Sequence, residues 1–277
     1  MSECKVIAIA NQKGGVGKTT TTFSLGVALA NEGKKILLVD ADPQGDLTTY
    51  MGFYEQDNLP VTISTLIERQ ISDQEVKPQQ AVLKHKDGID LIPSNLNLSM
   101  TEVNMFNAMN REYAMKNSLN DLKKDYDFII IDCMPSLSML TTNALAMANE
   151  VIIPVQSQYL SAKGMGNLLK TVSKIKRQLN GDLKVGGILL TLVDKRTNLP
   201  RAIQQELEEN YGSMVKLYDN QIPVAIKTAE STSKGKSIFA YDKNSKVAEA
   251  YSLFAKEVLK EDERERRKNA FAKGFDR

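Results

Sequence analysis

The residues best equipped for chemistry come early: Lys13-Gly14-Gly15-Val16-Gly17-Lys18-Thr19-Thr20, directly after an apolar run and directly before a helical pattern. Glycines at three of four positions remove Cβ atoms where the backbone must curl. Successive N–H groups can then point at one anion, and the helix start adds its positive dipole end. Lys18 can place a point charge between terminal phosphates, and the Thr19 hydroxyl can ligate Mg²⁺. Gly14, Gly15, Val16, Gly17 and Thr20 complete the cradle. The strict G-x-x-x-x-G-K-[ST] pattern fails at one position, where Gln12 stands for the first glycine. A strand before and a helix after supply the context the motif needs, so nucleotide binding is expected.

Two further segments carry carboxylates. Asp40-Ala41-Asp42-Pro43-Gln44-Gly45 closes the second apolar run, and Asp132 closes Phe128-Ile129-Ile130-Ile131. Ligands of open α/β sheets sit at the carboxyl ends of the strands, so these acids are expected to face the nucleotide crevice. An apolar strand delivering one carboxylate to magnesium is the Walker B arrangement.

The elements that must position these residues follow from the hydrophobic pattern. Val6–Ala10, Ile36–Val39, Ile89–Ile92, Phe128–Ile131, Val151–Val155 and Gly187–Thr191 read as strands buried on both faces. Amphipathic stretches alternate with them: Lys18–Glu32, Ile63–Arg69, Asn110–Lys123, Leu137–Ala148, Ala162–Leu179 and Arg201–Tyr211. Strand and helix in steady succession predict an α/β fold, a mostly parallel twisted sheet with helices on both faces. The polar segment Asp57–Asp87 is expected to be a surface excursion. A last helix through Val247, Tyr251, Phe254 and Val258 should dock on the body. The expected organisation is one domain over residues 1–260, then a charged tail, 261–277, that frays in solvent.

Composition narrows the function. The chain has 277 residues and a formal charge of +2, from 36 basic against 34 acidic side chains, so any nucleic-acid binding must come from a local patch. Cys4, Cys133 and His85 form no zinc pattern. No signal-peptide layout and no bilayer-length apolar run is present, and a reducing cytoplasmic setting is expected.

Lys13-Gly14-Gly15-Val16-Gly17-Lys18-Thr19-Thr20 resembles the deviant Walker A motif of the ParA/MinD group of P-loop ATPases. That resemblance implies ATP and Mg²⁺ as cofactors. It gives Lys13 a role in trans, reaching the phosphates held by a second subunit of an ATP-dependent homodimer. It implies that Asp42 polarises the attacking water, and that Asp40 joins Thr19 and Asp132 around magnesium. Two positions depart from the pattern. Asp46 stands where the family has Asn, and Met134 where it more often has a second proline.

Thr191–Leu199, Ile222–Glu230, Lys234–Ile238 and Tyr241-Asp242 resemble the partition branch of this group, the ParA/Soj proteins, with likeness from Val6 to about Val258. The branch binds DNA without sequence preference and is stimulated by a ParB-type partner, which implies a nucleoid-associated protein. Arg196 matches a DNA-contacting basic residue, and Lys227 a position usually held by Arg; Pro223 matches an adenine-side contact. Lys195, Lys234, Lys236, Lys243 and Lys246 are further DNA candidates. From Lys227 to Lys246, five lysines face two acids. The alternative is a membrane-positioning ATPase of the MinD type, which needs an amphipathic C-terminal helix. Past Lys260 the apolar residues are only Ala270, Phe271, Ala272 and Phe275, so no stable membrane association is expected.

Overall fold

The structure, a computed structural model, describes residues 4–157, 162–194 and 196–275. Its sheet is built from β1 (Lys5–Ile9), β2 (Ile36–Ala41), β3 (Leu83–Lys84), β4 (Asp90–Ile92), β5 (Phe128–Cys133), β6 (Glu150–Gln156) and β7 (Lys184–Thr191). The strand order is β3-β4-β2-β5-β1-β6-β7, parallel throughout except for the edge pair β3–β4.

The helices in the first half are α1 (Lys18–Asn31), α2 (Asp46–Tyr50), α3 (Ile63–Ile71), α4 (Asn97–Met105), α5 (Ala114–Leu119) and α6 (Met139–Met147). Those in the second half are α7 (Ala162–Gln178), α8 (Leu199–Tyr211), α9 (Ile226–Ser233), α10 (Ile238–Asp242) and α11 (Lys246–Phe275).

Alternation along the central strands divides the core in two. Val6, Ala8, Leu37, Val39, Ile129, Ile131, Val151 and Ile153 face one layer, with apolar side chains from α3 through α8. Ile7, Ile9, Ile36, Leu38, Phe128, Ile130 and Ile152 face the other, with α1, α2, α10 and α11. Each central strand is therefore covered on both sides, which is why it reads as a continuous apolar run and not as an alternating one. Asp40 and Asp132 follow the parity of Leu38 and Ile130 and pair directly across β2 and β5.

Several elements differ from expectation. The helical pattern Asn110–Lys123 is broken: Asn110 takes a positive φ of 53°, and α5 lies between two 3₁₀ turns. The segment Asp57–Asp87 is not simply a surface excursion, because α3 buries Ile63, Leu66 and Ile67 completely. The charged stretch after Lys260 is helical through Phe275 instead of fraying. Its Glu265 meets the buried Lys5 ammonium at 3.2 Å, and its Asp262 holds Arg266 at 2.7 Å. The acids of this turn tie α11 to the amino end of β1, a long-range pairing that local charge density does not reveal.

Candidate nucleotide-binding site

The loop between β1 and α1 needs backbone that only glycine adopts without strain. Gly15 has φ 72° and Gly17 φ 80°, with Gly17 as the residue preceding α1. The loop is pinned from below. Val16 is buried, and its carbonyl accepts a 2.8 Å hydrogen bond from the Thr191 hydroxyl at the end of β7.

Above the loop opens a cleft of about 610 Å³, lined by Gly14, Gly15, Gly17, Lys18, Thr19 and Thr20. Asp42, Pro43, Gln44 and Asp46 form the wall that follows β2, and Met134 and Pro135 the wall that follows β5. Tyr50, Ser99 and Leu192 complete it. The sequence reading missed these last three. They come from α2, α4 and the turn after β7, and no local spacing relates them to the glycine loop. Leu192 carries a backbone signal that sequence cannot show, a positive φ of 52° at a bulky residue.

Lys18 is 7% exposed, and its ammonium donates to the Lys13 carbonyl at 3.3 Å. Burial pushes its pKa down, opposed by the neighbouring Asp132. An ammonium stripped of water and given one neutral acceptor is poised to exchange that acceptor for an anion. Lys13 itself is half-buried, with its amide donating to Asn11 Oδ1 at 3.0 Å.

Asp132 is 1% exposed, and its pKa is driven well up by burial and by the adjacent Asp40. The Thr19 side chain hydrogen-bonds it, and Thr22 Oγ1 reaches its Oδ1 at 3.4 Å. Its Oδ2 is buried with no hydrogen-bond partner. A buried carboxyl oxygen without a partner costs on the order of 1–3 kcal/mol, and a cation beside it would favour the ionised form. Thr19 and Asp132 thus offer the hard oxygens Mg²⁺ requires, beside a phosphate cradle.

Asp40 is fully buried and, like Asp132, lies behind the cleft lining. Its Oδ2 accepts from the Thr48 amide at 2.9 Å and the Thr48 hydroxyl at 2.7 Å; its Oδ1 accepts from the Asp42 amide at 3.2 Å. The structure thus brings Asp40 beside Asp132 but directs its oxygens into the turn that carries Asp42. Asp42 does reach the cleft. Burial raises its pKa, while the Gln44 amide donates to its Oδ1 at 2.9 Å and opposes the rise.

Pro223 is not part of the cleft wall; it bridges Val193 beyond the end of β7. Of the DNA candidates, Lys195 lies outside the described residues. Arg196 is closed by a two-pronged pair with Asp194 at 2.8 and 2.7 Å, which also holds the Asp194 carboxyl down at about 2. Lys227 is held by Asp242 at 2.5 Å. Lys234 stands 5.0 Å from the Tyr241 ring, and Lys236, Lys243 and Lys246 are exposed. Among the described residues, no helix is long and apolar enough to cross a membrane.

A family model described as an AAA domain matches residues 4–185. The sporulation initiation inhibitor protein Soj of Bacillus subtilis (strain 168) is 41% identical over 254 residues, covering 92% of this chain and 98% of that protein. The chromosome partitioning protein ParA of Myxococcus xanthus (strain DK1622) is 38% identical over 260 residues, covering 93% and 89%. Among solved structures, a cobyrinic acid a,c-diamide synthase from Mycobacterium smegmatis with bound ATP analogue and magnesium superimposes with a TM-score of 0.82. That chain is 38% identical, and the match covers 92% of this chain and 94% of that one.

Proposed function

The chain belongs to the ParA/Soj family of P-loop partition ATPases, and from that premise we propose that ATP closes two copies into a dimer that holds DNA until hydrolysis releases it. The observation that carries the reading is the Asp132 carboxylate, buried with one oxygen unpartnered beside the desolvated Lys18 ammonium. Those two groups ask for a cation and an anion at once, and magnesium triphosphate supplies both.

The loop amides from Gly14 to Thr20 bind the phosphates, and Lys18 moves from the Lys13 carbonyl to a phosphoryl oxygen. Thr19 and Asp132 would hold Mg²⁺, which when bound would neutralise charge on the phosphoryl oxygens. Asp42, at the cleft wall with a raised pKa, accepts a hydrogen bond from water and orients it in line with the terminal phosphorus. Lys13 of one copy reaches the phosphates of the other, so the triphosphate becomes part of the interface. Partner stimulation by a ParB-type protein acts on this closed state.

Sedimentation with a non-hydrolysable ATP analogue and magnesium tests the reading, together with DNA retention under ATP, ADP and no nucleotide. The expected result is a dimer, and DNA retained, only in the triphosphate state. Lys18→Ala should weaken ATP binding on the order of 100-fold. Asp42→Ala should stay dimeric with turnover reduced on the order of 10²–10⁴-fold. A monomer at saturating analogue overturns the dimer. Turnover that requires an added small-molecule acceptor overturns the partition reading in favour of ligase chemistry.

A further inference from the structure

Arg196 and Lys227, the two cations matched to DNA contacts, each face an acid across a short ion pair. A phosphate approaching either must compete with a carboxylate already in place. Elsewhere the molecule presents cations without that competition. Helix α7 has five Lys and Arg and no Asp or Glu in its 17 residues. Its Met165, Leu168, Val172 and Ile175 are buried against the sheet. Lys170, Lys174, Lys176 and Arg177 are exposed, and none of them forms an ion pair among the described residues.

Lys170, Lys174 and Arg177 follow one another at i, i+4 and i+7, so they share one face, opposite the buried stripe. At about 1.5 Å per residue, the three charges span roughly 10 Å of axis. One DNA strand places four phosphates along that length, at intervals of about 3.4 Å, so each of the three cations can meet one. Past the helix end, α7 is tied to the turn before α5. The Tyr113 hydroxyl donates to the Leu179 carbonyl at 2.9 Å, and Lys116 lies 5.8 Å from the Tyr113 ring.

We propose that the exposed basic face of α7 is a docking surface for the phosphate backbone of double-stranded DNA, with Lys170, Lys174 and Arg177 as its principal contacts. This rests on the DNA-binding reading above and moves its centre of affinity away from Arg196 and Lys227. The composition of the face selects the partner. Its other exposed positions include Asn167, Ser173 and Gln178, which can hydrogen-bond phosphate. None of the exposed positions on Met165–Gln178 is a bulky apolar residue of the kind an acyl layer takes up. The surface also lies in the helix layer opposite α10 and α11, so it can be altered without touching Lys243 and Lys246.

The test uses the full chain with ATP and magnesium, a random-sequence duplex, and a salt series. In Lys170→Glu/Lys174→Glu/Arg177→Glu, the slope of log affinity against log salt should fall by about three per subunit, with affinity lower by at least about 10-fold at every salt. ATP turnover without DNA and the far-ultraviolet dichroism should be unchanged. The Lys170→Arg/Lys174→Arg variant should retain the wild-type slope. Arg196→Glu/Lys227→Glu should leave most of the slope in place.

An unchanged slope in the triple variant, with loss in Arg196→Glu/Lys227→Glu, overturns the proposal and leaves the DNA reading standing. A wild-type chain that retains no duplex in any nucleotide state overturns the DNA reading itself. Binding to phosphatidylglycerol vesicles instead of duplex, abolished in the triple variant, overturns DNA as the occupant.

Discussion

A carboxyl group shut into a dry interior resists losing its proton. Asp40 shows the consequence in a form open to measurement. Burial pushes its carboxyl up to about 7, against the opposing hydrogen bonds from Thr48 and the Asp42 amide. The unfolded chain titrates the same group near 4. The folded value is the higher, so its contribution is fully present below about pH 4 and is lost as pH rises through 7. A displacement of about three units bounds that loss at about 4 kcal/mol. In nucleotide-free protein, Asp40→Asn should flatten the pH dependence of the urea midpoint between pH 4 and 7, and equal slopes in the two proteins would remove the assignment. The glycine loop, Asp42 and Asp132 were legible in the sequence because contiguous residues carry their chemistry. The inward turn of Asp40 was not, since it depends on Thr48, a residue with no motif of its own, folding back over the end of β2. Ser99 and Tyr50 were equally silent: only the closed fold brings them to the loop.

Elements were legible in proportion to their length and to how evenly they are buried. The five long strands stand out because both faces are covered, whereas β3 has two residues and no period to read. Helices α2 and α10 have five residues each, too few for an apolar stripe to declare itself. What holds this part of the molecule is a close approach of backbones. Gly52, just past α2, meets Gly235, in the turn between α9 and α10; a Cβ on Gly235 would sit 2.6 Å from Gly52 Cα and 2.8 Å from the Tyr54 hydroxyl. Gly235 also has φ 58°, which adds strain for any other residue. Gly235→Ala should therefore lower stability by about 1–3 kcal/mol. Gly181→Ala, whose Cβ would meet nothing within 4 Å, should change it by no more than about 0.5 kcal/mol. Equal urea midpoints for the two variants would show that the two turns do not depend on this contact.

At the scale of the whole molecule, the sheet separates two kinds of electrostatics. Its carboxyl edge carries the cleft, where charges are left incompletely paired and await a ligand. Its amino edge carries a network with opposite logic: Lys5, 5% exposed, lies 2.8 Å from Glu150, with Glu265 at 3.2 Å and Asp262 at 3.9 Å from α11. Burial alone would lower the Lys5 pKa, but these acids raise it, so the ammonium stays charged. Glu150 is pushed the other way by its own burial, and Lys5 is what opposes that rise. Removing the cation alone strands a buried acid, whereas removing both charges strands nothing. Lys5→Met should lower stability by about 3–5 kcal/mol, and Lys5→Met/Glu150→Leu should recover most of that loss. Because the network lies at the far end of β1 from the glycine loop, ATP affinity should be the same in all folded variants. Urea unfolding combined with titration of a fluorescent ATP analogue reads both quantities. A double variant as unstable as the single one would mean that packing, and not charge, fastens α11 to the sheet. A shift in nucleotide affinity would mean that the two edges communicate through β1.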